Sequence, residues 1–282
     1  DGSRIARELE ITRLGRGIDE TGQLDDEALS RTLDVIGRYR GRWETLGAED
    51  VRIAATSAVR DAEDRDRFIC GIREVAGRDP EILSGAQEAR TAYRGATAAL
   101  DVARPTAVLD VGGGSTEIVV GDAAGDFVTS VSLQLGCVRL TERLLRSDPP
   151  TPAQLAAARS EVAVQLDRAA ATLADSAADP AHCAALVGVA GTVTTLAALH
   201  LDLDQYDHDQ VHGARLPRTA VQALARQLSS LQAAERKQLG PLESGREDVI
   251  LGGALIVEGV LDRFGFAELV ASEADSLEGL LL

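Results

Sequence analysis

Methionine is absent from the 282 residues, and cysteine occurs only three times, as Cys70, Cys137 and Cys183. The three are odd in number, far apart, and without CxxC spacing or a neighbouring histidine pair, so they point to neither a disulfide framework nor a zinc site; reduced thiols are expected. No apolar run approaches the roughly 20 residues that a membrane-spanning helix needs. No charged-then-apolar leader opens the chain, so a cytoplasmic, unexported protein without a membrane partner is expected. Basic residues are the other shortage: 29 Lys and Arg stand against 45 Asp and Glu, a net charge of −16. Such a surface repels nucleic acid and anionic membranes alike, so no nucleic-acid partner is expected and any polyanionic ligand must be held by local donors.

What is present suffices for a real core. With 45% hydrophobic residues, the length suits one large domain or two ordinary lobes. Residues 1–19 read as an extended segment already under way, which predicts an incomplete N-terminus. Leu29, Leu33, Ile36, Trp43 and Leu46 recur at helical spacing over 26–46, with Asp25 and Asp26 as caps and Gly47 as stop. A strand over 51–55 follows. Thr56 and Ser57 then cap a helix bearing Phe68, Ile69, Ile72 and Val75, and Glu81–Ser84 is extended. A helix over 87–100 places Glu88 in its first turn. Strands over 106–111 and 116–120 flank Gly112-Gly113-Gly114, and another strand covers 127–135. Beyond these, helices are expected over 152–177, 218–231 and 247–264, strands over 185–190 and 268–271, and a terminal helix from Glu273.

Three consecutive glycines between strands leave backbone N–H groups able to converge on one anion. The alternative is a tight hairpin in which glycine only supplies positive φ. The run is neither a P-loop, lacking GxxxxGK[ST], nor a dinucleotide fingerprint, since a strand follows it. Asp110 and Glu117 flank it, an arrangement suited to a divalent metal or a water nucleophile beside the anion. Gly191-Thr192, where a strand meets a helix, is a second candidate anion site or simple capping. Glu88 is either a general base or a dipole-favouring first-turn acid. Arg60 is a phosphate clamp or a surface arginine. His182, His200, His208 and His212 show no ligand spacing, and the 208–212 loop reads as solvated. The acidic cluster Asp61, Glu63, Asp64 and Asp66 reads as a solvated helix start.

Taken in order, ATSAVRDA (55–62), SGAQEAR (84–90), DVGGGSTEI (110–118), GCVRLTER (136–143), GVAGTVTTL (188–196) and SEADSLEG (272–279) resemble the exopolyphosphatase/guanosine-pentaphosphatase (Ppx/GppA) family. The likeness spans the chain and is strongest to its short actinobacterial members. It implies an α/β fold of two ribonuclease-H-like lobes, as in the actin/sugar-kinase/heat-shock ATPase superfamily, with a cleft between them. The lobes would be residues 1–86, lacking their first strands, and 87–272, with a helix at 273–282 packing back on the first. It implies Glu88 as the water-activating acid, and Asp110 and Glu117 as catalytic acids near a divalent ion, Mg²⁺. Gly112, Gly113, Gly114 and Ser115 become the phosphate cradle, Gly191 and Thr192 a later phosphate turn, and Arg60 a cleft arginine. The implied activity is release of terminal phosphate from polyphosphate, or conversion of guanosine pentaphosphate to tetraphosphate, by a homodimer. The rival expectations are a non-catalytic phosphate-ligand sensor and an ATP-dependent sugar-kinase-like enzyme. An N-terminal Asp-x-Gly-(Thr/Ser)-Asn-Ser loop of the family is absent from the sequence, which predicts impaired phosphate release from residues 1–282 alone.

Overall fold

The computed structural model describes residues 5, 6, 8, 10–175 and 178–282. Two compact units divide the chain, the first ending at Ser84 and the second running Gly85–Leu282. This boundary lies two residues before the expected one and assigns residues 273–282 to the second unit.

The first unit contains α1 (Ile18–Thr21), α2 (Asp26–Thr45), β1 (Ala54–Ala55), α3 (Ser57–Asp61), α4 (Arg65–Ala76) and β2 (Glu81–Ile82). Of the expected extended run over 1–19, residues 1–4, 7 and 9 lie outside the described residues, and the part from Leu14 turns into α1. In α2 the Asp25 side chain accepts from the Ala28 amide at 2.9 Å, satisfying one orphan donor of the first turn. The expected strand over 51–55 shrinks to Ala54–Ala55, paired in parallel with Glu81–Ile82. The helix expected after Thr56 is two helices, and the Thr56 side chain makes no cap bond. Nor is the acidic cluster uniformly solvated. Asp64 accepts from the Leu24 amide (2.9 Å) and from Arg67 (2.9 Å), and these bonds hold its carboxyl below the usual range.

The second unit opens with α5 (Gly85–Ala98), β3 (Thr106–Val111), β4 (Thr116–Gly121), β5 (Phe127–Leu133), α6 (Cys137–Leu144), α7 (Pro152–Asp175), β6 (Ala185–Val189) and α8 (Ala190–His200). It continues with α9 (His208–Val211), β7 (Arg215–Pro217), α10 (Arg218–Ser230), α11 (Ala233–Arg236), α12 (Ile250–Phe264), β8 (Glu268–Ala271) and α13 (Ser276–Leu281). The last two residues of the helix expected over 152–177 lie outside the described residues. Six strands form one sheet in the order β5-β4-β3-β6-β8-β7. Strands β5, β4 and β3 make an antiparallel meander, β3, β6 and β8 run parallel, and β7 closes the edge antiparallel.

The sheet is covered on both faces, and period-2 alternation decides which side chain goes where. Ala107, Leu109 and Val111 of β3 and Ile118 and Val120 of β4 join the large core with α7, α8 and α12. Val108 and Val119 face the other way and pack with Ala89, Tyr93 and Ala96 of α5. At Gly121 a Cβ would overlap the Tyr93 ring, which fixes how closely α5 lies on the sheet. Burying a residue such as Leu109 completely makes its truncation to Ala worth about 2–5 kcal/mol.

Candidate functional site

Asp110 and Glu117 sit directly opposite each other in the β3–β4 ladder. Opposed residues of an antiparallel pair project to one face, and by the alternation above that face is the one covered by α5. Helix α5 carries Glu88 in its first turn. Helix α13 lies against α5 at backbone contact distance. A Cβ at Gly95 would overlap the Asp275 carbonyl, and one at Gly279 would overlap the Thr91 carbonyl. Asp275 caps α13 by accepting from the Leu277 amide at 2.8 Å. The docking therefore brings a fourth acid toward the same corner.

The electrostatics follow. Burial first, then repulsion from Glu117, Asp275 and Glu88, pushes the Asp110 carboxyl well above the ordinary value of 3.8. Glu117 is itself buried, and its Oε1 accepts from the Ser132 hydroxyl of β5 at 2.8 Å. Glu88, Asp110 and Glu117 are thus brought together, with Asp275 as a member that motif reading did not supply.

The glycine run is not the positive-φ hairpin that was one of its two readings: none of Gly112, Gly113 and Gly114 has positive φ. Its shape comes from α6, an element absent from the sequence expectations. The Cys137 amide donates to the Gly112 carbonyl at 3.0 Å, and the Val138 and Arg139 amides to the Gly113 carbonyl at 3.0 and 3.2 Å. In a trans peptide the N–H points opposite to the C=O. Turning the carbonyls of Gly112 and Gly113 onto α6 therefore turns the N–H groups of Gly113 and Gly114 away from it. Those two amides and that of Ser115 find no acceptor among the described residues. The peptide dipoles of the loop continue that of α6 and present a positive end. Gly136 is the hinge of this docking, since a Cβ there would overlap the Gly113 backbone. At Gly112 and Gly114, in contrast, a Cβ would meet only ordinary contacts, at 3.4 and 3.7 Å. Neither backbone conformation nor crowding inside the fold requires glycine at these two positions.

The second glycine turn is built differently. Ala190 adopts φ 64° where β6 passes into α8, a conformation costing a non-glycine residue roughly 1–2 kcal/mol. A Cβ at Gly191 would overlap the Arg246 guanidinium, whose Nε donates to Glu243 at 2.8 Å. The buried Thr192 hydroxyl donates to the Val111 carbonyl at 3.1 Å and so ties α8 to the end of β3. Arg60 lies at the end of α3 in the first unit, donating to the Leu83 carbonyl at 2.9 Å. His208 and His212, read as solvated loop residues, are both tied to buried Glu273. His208 Nδ1 lies 2.6 Å from its carboxylate, Tyr206 donates to the same carboxylate, and the Glu273 amide donates to His212 Nδ1 at 3.2 Å. No sequence spacing signals that cluster, because its members are some 65 residues apart.

Among the described residues, no helix is long and apolar enough to cross a membrane. Residues 2–282 match the family model described as the Ppx/GppA phosphatase family. The chain is 40% identical over 289 residues to exopolyphosphatase 2 of Mycobacterium tuberculosis, covering 99% of this chain and 88% of that protein. Over half of this chain, and 28% of the relative, it is 31% identical to the guanosine-5'-triphosphate,3'-diphosphate pyrophosphatase of Photobacterium profundum. It superposes on the crystal structure of the Aquifex aeolicus Ppx/GppA family member with a TM-score of 0.80 at 30% identity, covering 96% of this chain and 86% of that one. The six-stranded mixed sheet with helices on both faces is accordingly that of the actin-like ATPase fold, and its acid-flanked glycine loop is carried by a chain that belongs to the Ppx/GppA phosphatase family.

Proposed function

We propose that the protein hydrolyses a terminal phosphoanhydride bond, of inorganic polyphosphate, of guanosine pentaphosphate, or of both. The observation that carries this is the juxtaposition at the end of β3: outward-turned amides at Gly113 and Gly114, and a Ser115 amide with no acceptor among the described residues, next to Glu88, Asp110 and Glu117. The amides hold oxygens of the terminal phosphoryl group, and Glu88 takes the proton of the attacking water as it adds to phosphorus. Phosphoryl transfer asks little else of the protein than positioning and charge neutralisation.

Four acids with one strongly raised carboxyl need a counter-charge, and their hard oxygens suit a divalent cation. Among the described residues no three His, Cys, Asp or Glu side chains form a ready-made cage. Mg²⁺ is usually held by one or two carboxylates with the remaining positions left to water and phosphate. Asp110 and Glu117 would hold it, and when bound it supplies neutralisation of the phosphoryl oxygens. Beside it Ser132 fixes one oxygen of Glu117, and the Thr192 bond to Val111 keeps the end of β3 in place.

The test is phosphate release by the full-length protein with Mg²⁺, from tripolyphosphate and from guanosine pentaphosphate, with ATP plus sugars as a transfer control. Release from either phosphate substrate is expected. Binding without release would replace hydrolysis by a sensor, and transfer from ATP would replace it by a kinase.

A further inference from the structure

We infer that His212 is a positioning residue for Glu88: by accepting the Glu273 amide it holds the turn Ser272–Asp275 on which helix α5 is seated. This rests on the hydrolytic reading above, in which Glu88 takes the proton of the attacking water.

The β7 side of the β8 ladder ends on a side chain. In an antiparallel pair every second amide of a strand faces the same neighbour. The Ala271 amide donates to the Ala214 carbonyl at 2.8 Å, so the next amide on that side is that of Glu273, level with residue 212. There it meets the imidazole and donates to Nδ1 at 3.2 Å. The Gly213 amide, donating to the Ala271 carbonyl at 2.8 Å, keeps the histidine at that level. From the β6 side the Gly188 carbonyl accepts the Ser272 amide at 2.8 Å.

The turn fixed by these bonds carries α5. The buried Ser272 hydroxyl lies 3.3 Å from the Ala96 carbonyl and 2.8 Å from that of Ala274. The Asp275 carbonyl fills the place a side chain would take at Gly95. Gly95 and Ala96 belong to the helix that bears Glu88 in its first turn, about 10 Å away along one rigid element. A shift of the seat therefore moves the base, while the glycine loop, held by α6, stays where it is. Such a displacement weakens proton transfer in the transition state and leaves phosphate binding intact.

The experiment compares His212→Ala and His212→Asn with wild type. It measures kcat and KM on tripolyphosphate, affinity for non-hydrolysable imidodiphosphate by calorimetry, and amide hydrogen exchange of residues 85–98 by mass spectrometry. In His212→Ala kcat should fall about ten- to a hundredfold, with KM and the imidodiphosphate Kd within about threefold of wild type. Exchange over 85–98 should quicken about fivefold, the effect of losing one hydrogen bond from the seat. His212→Asn keeps an acceptor, Oδ1, at the same distance from the backbone as Nδ1, and should bring both readouts back to within about threefold. A kcat within about twofold of wild type in His212→Ala would overturn the inference. So would an Asn variant as slow as the Ala variant, or a KM that rises as steeply as kcat falls. Should His212→Ala not fold, Ser272→Ala, which releases α5 from the same turn, decides by the same limits on kcat and KM. Wild type that binds imidodiphosphate but releases no phosphate sinks the hydrolytic reading alone. Exchange over 85–98 then judges the seating: quickening in the Ala variant and not in the Asn variant upholds it, and an unchanged rate in the Ala variant overturns it.

Discussion

Two glycine turns follow parallel neighbours of the same sheet, and they look alike in sequence: an apolar strand, a glycine, then Ser or Thr. The first, after β3, has the carbonyls of Gly112 and Gly113 taken up by α6 and the amides of Gly113 and Gly114 left outward, and at Gly112 and Gly114 a Cβ would meet only ordinary contacts. The second, after β6, is filled from inside: Arg246 occupies the space over Gly191, and the Thr192 hydroxyl is spent on the Val111 carbonyl. Their strands differ as well, because Asp110 of β3 stands in register with Val189 of β6. In the proposed function the first turn binds the phosphate, and the Thr192 bond to Val111 lets the second brace it.

Converting Asp110 to Asn should remove the sharpest difference between the turns and have the largest effect. Activity should fall by about three orders of magnitude. The same variant should be more stable than wild type at pH 7 in chelator, by melting temperature. The sign follows from linkage: a raised carboxyl pKa means the folded state keeps a proton that the unfolded state has lost. Wild-type stability therefore falls as pH rises from 3.8 through the raised value, and Asn is spared that loss. Below about pH 3.5 the advantage should vanish.

Alanine at the two glycines should separate the roles. Gly191→Ala must displace the Arg246 guanidinium and should cost about 1–3 kcal/mol in denaturant unfolding. Gly114→Ala should change stability by no more than about 0.5 kcal/mol while raising KM on tripolyphosphate roughly tenfold. Reversed outcomes would mean the roles had been exchanged. The smallest effect belongs to Ala190→Gly, which relieves the left-handed backbone of the second turn and should stabilise by about 1 kcal/mol without changing KM.

Much of this was legible in the residue order. The strand 106–111 and the one that begins at 116 are found where alternation and β-branched residues place them, and Asp110, Glu117 and the glycines follow from their spacing. Other features depend on contacts between distant residues and leave no local trace. Helix α6 is a single eight-residue element whose importance lies in what its first amides bond to. Asp275 joins the acids only because Gly95 and Gly279 let two helices touch. The strand expected from Val51 keeps only the two residues that find a partner at 81 and 82. His208 and His212 look solvated until Glu273 arrives from the far end of the chain.

The central claim is that the acids beside the glycine loop carry out hydrolysis on a phosphate that the loop binds. The most direct measurement is single-turnover phosphate release by Glu88→Gln in the full-length protein, alongside its affinity for imidodiphosphate. A rate reduced about a hundred- to ten-thousandfold with affinity within threefold of wild type is the predicted result. Release at the wild-type rate would contradict it.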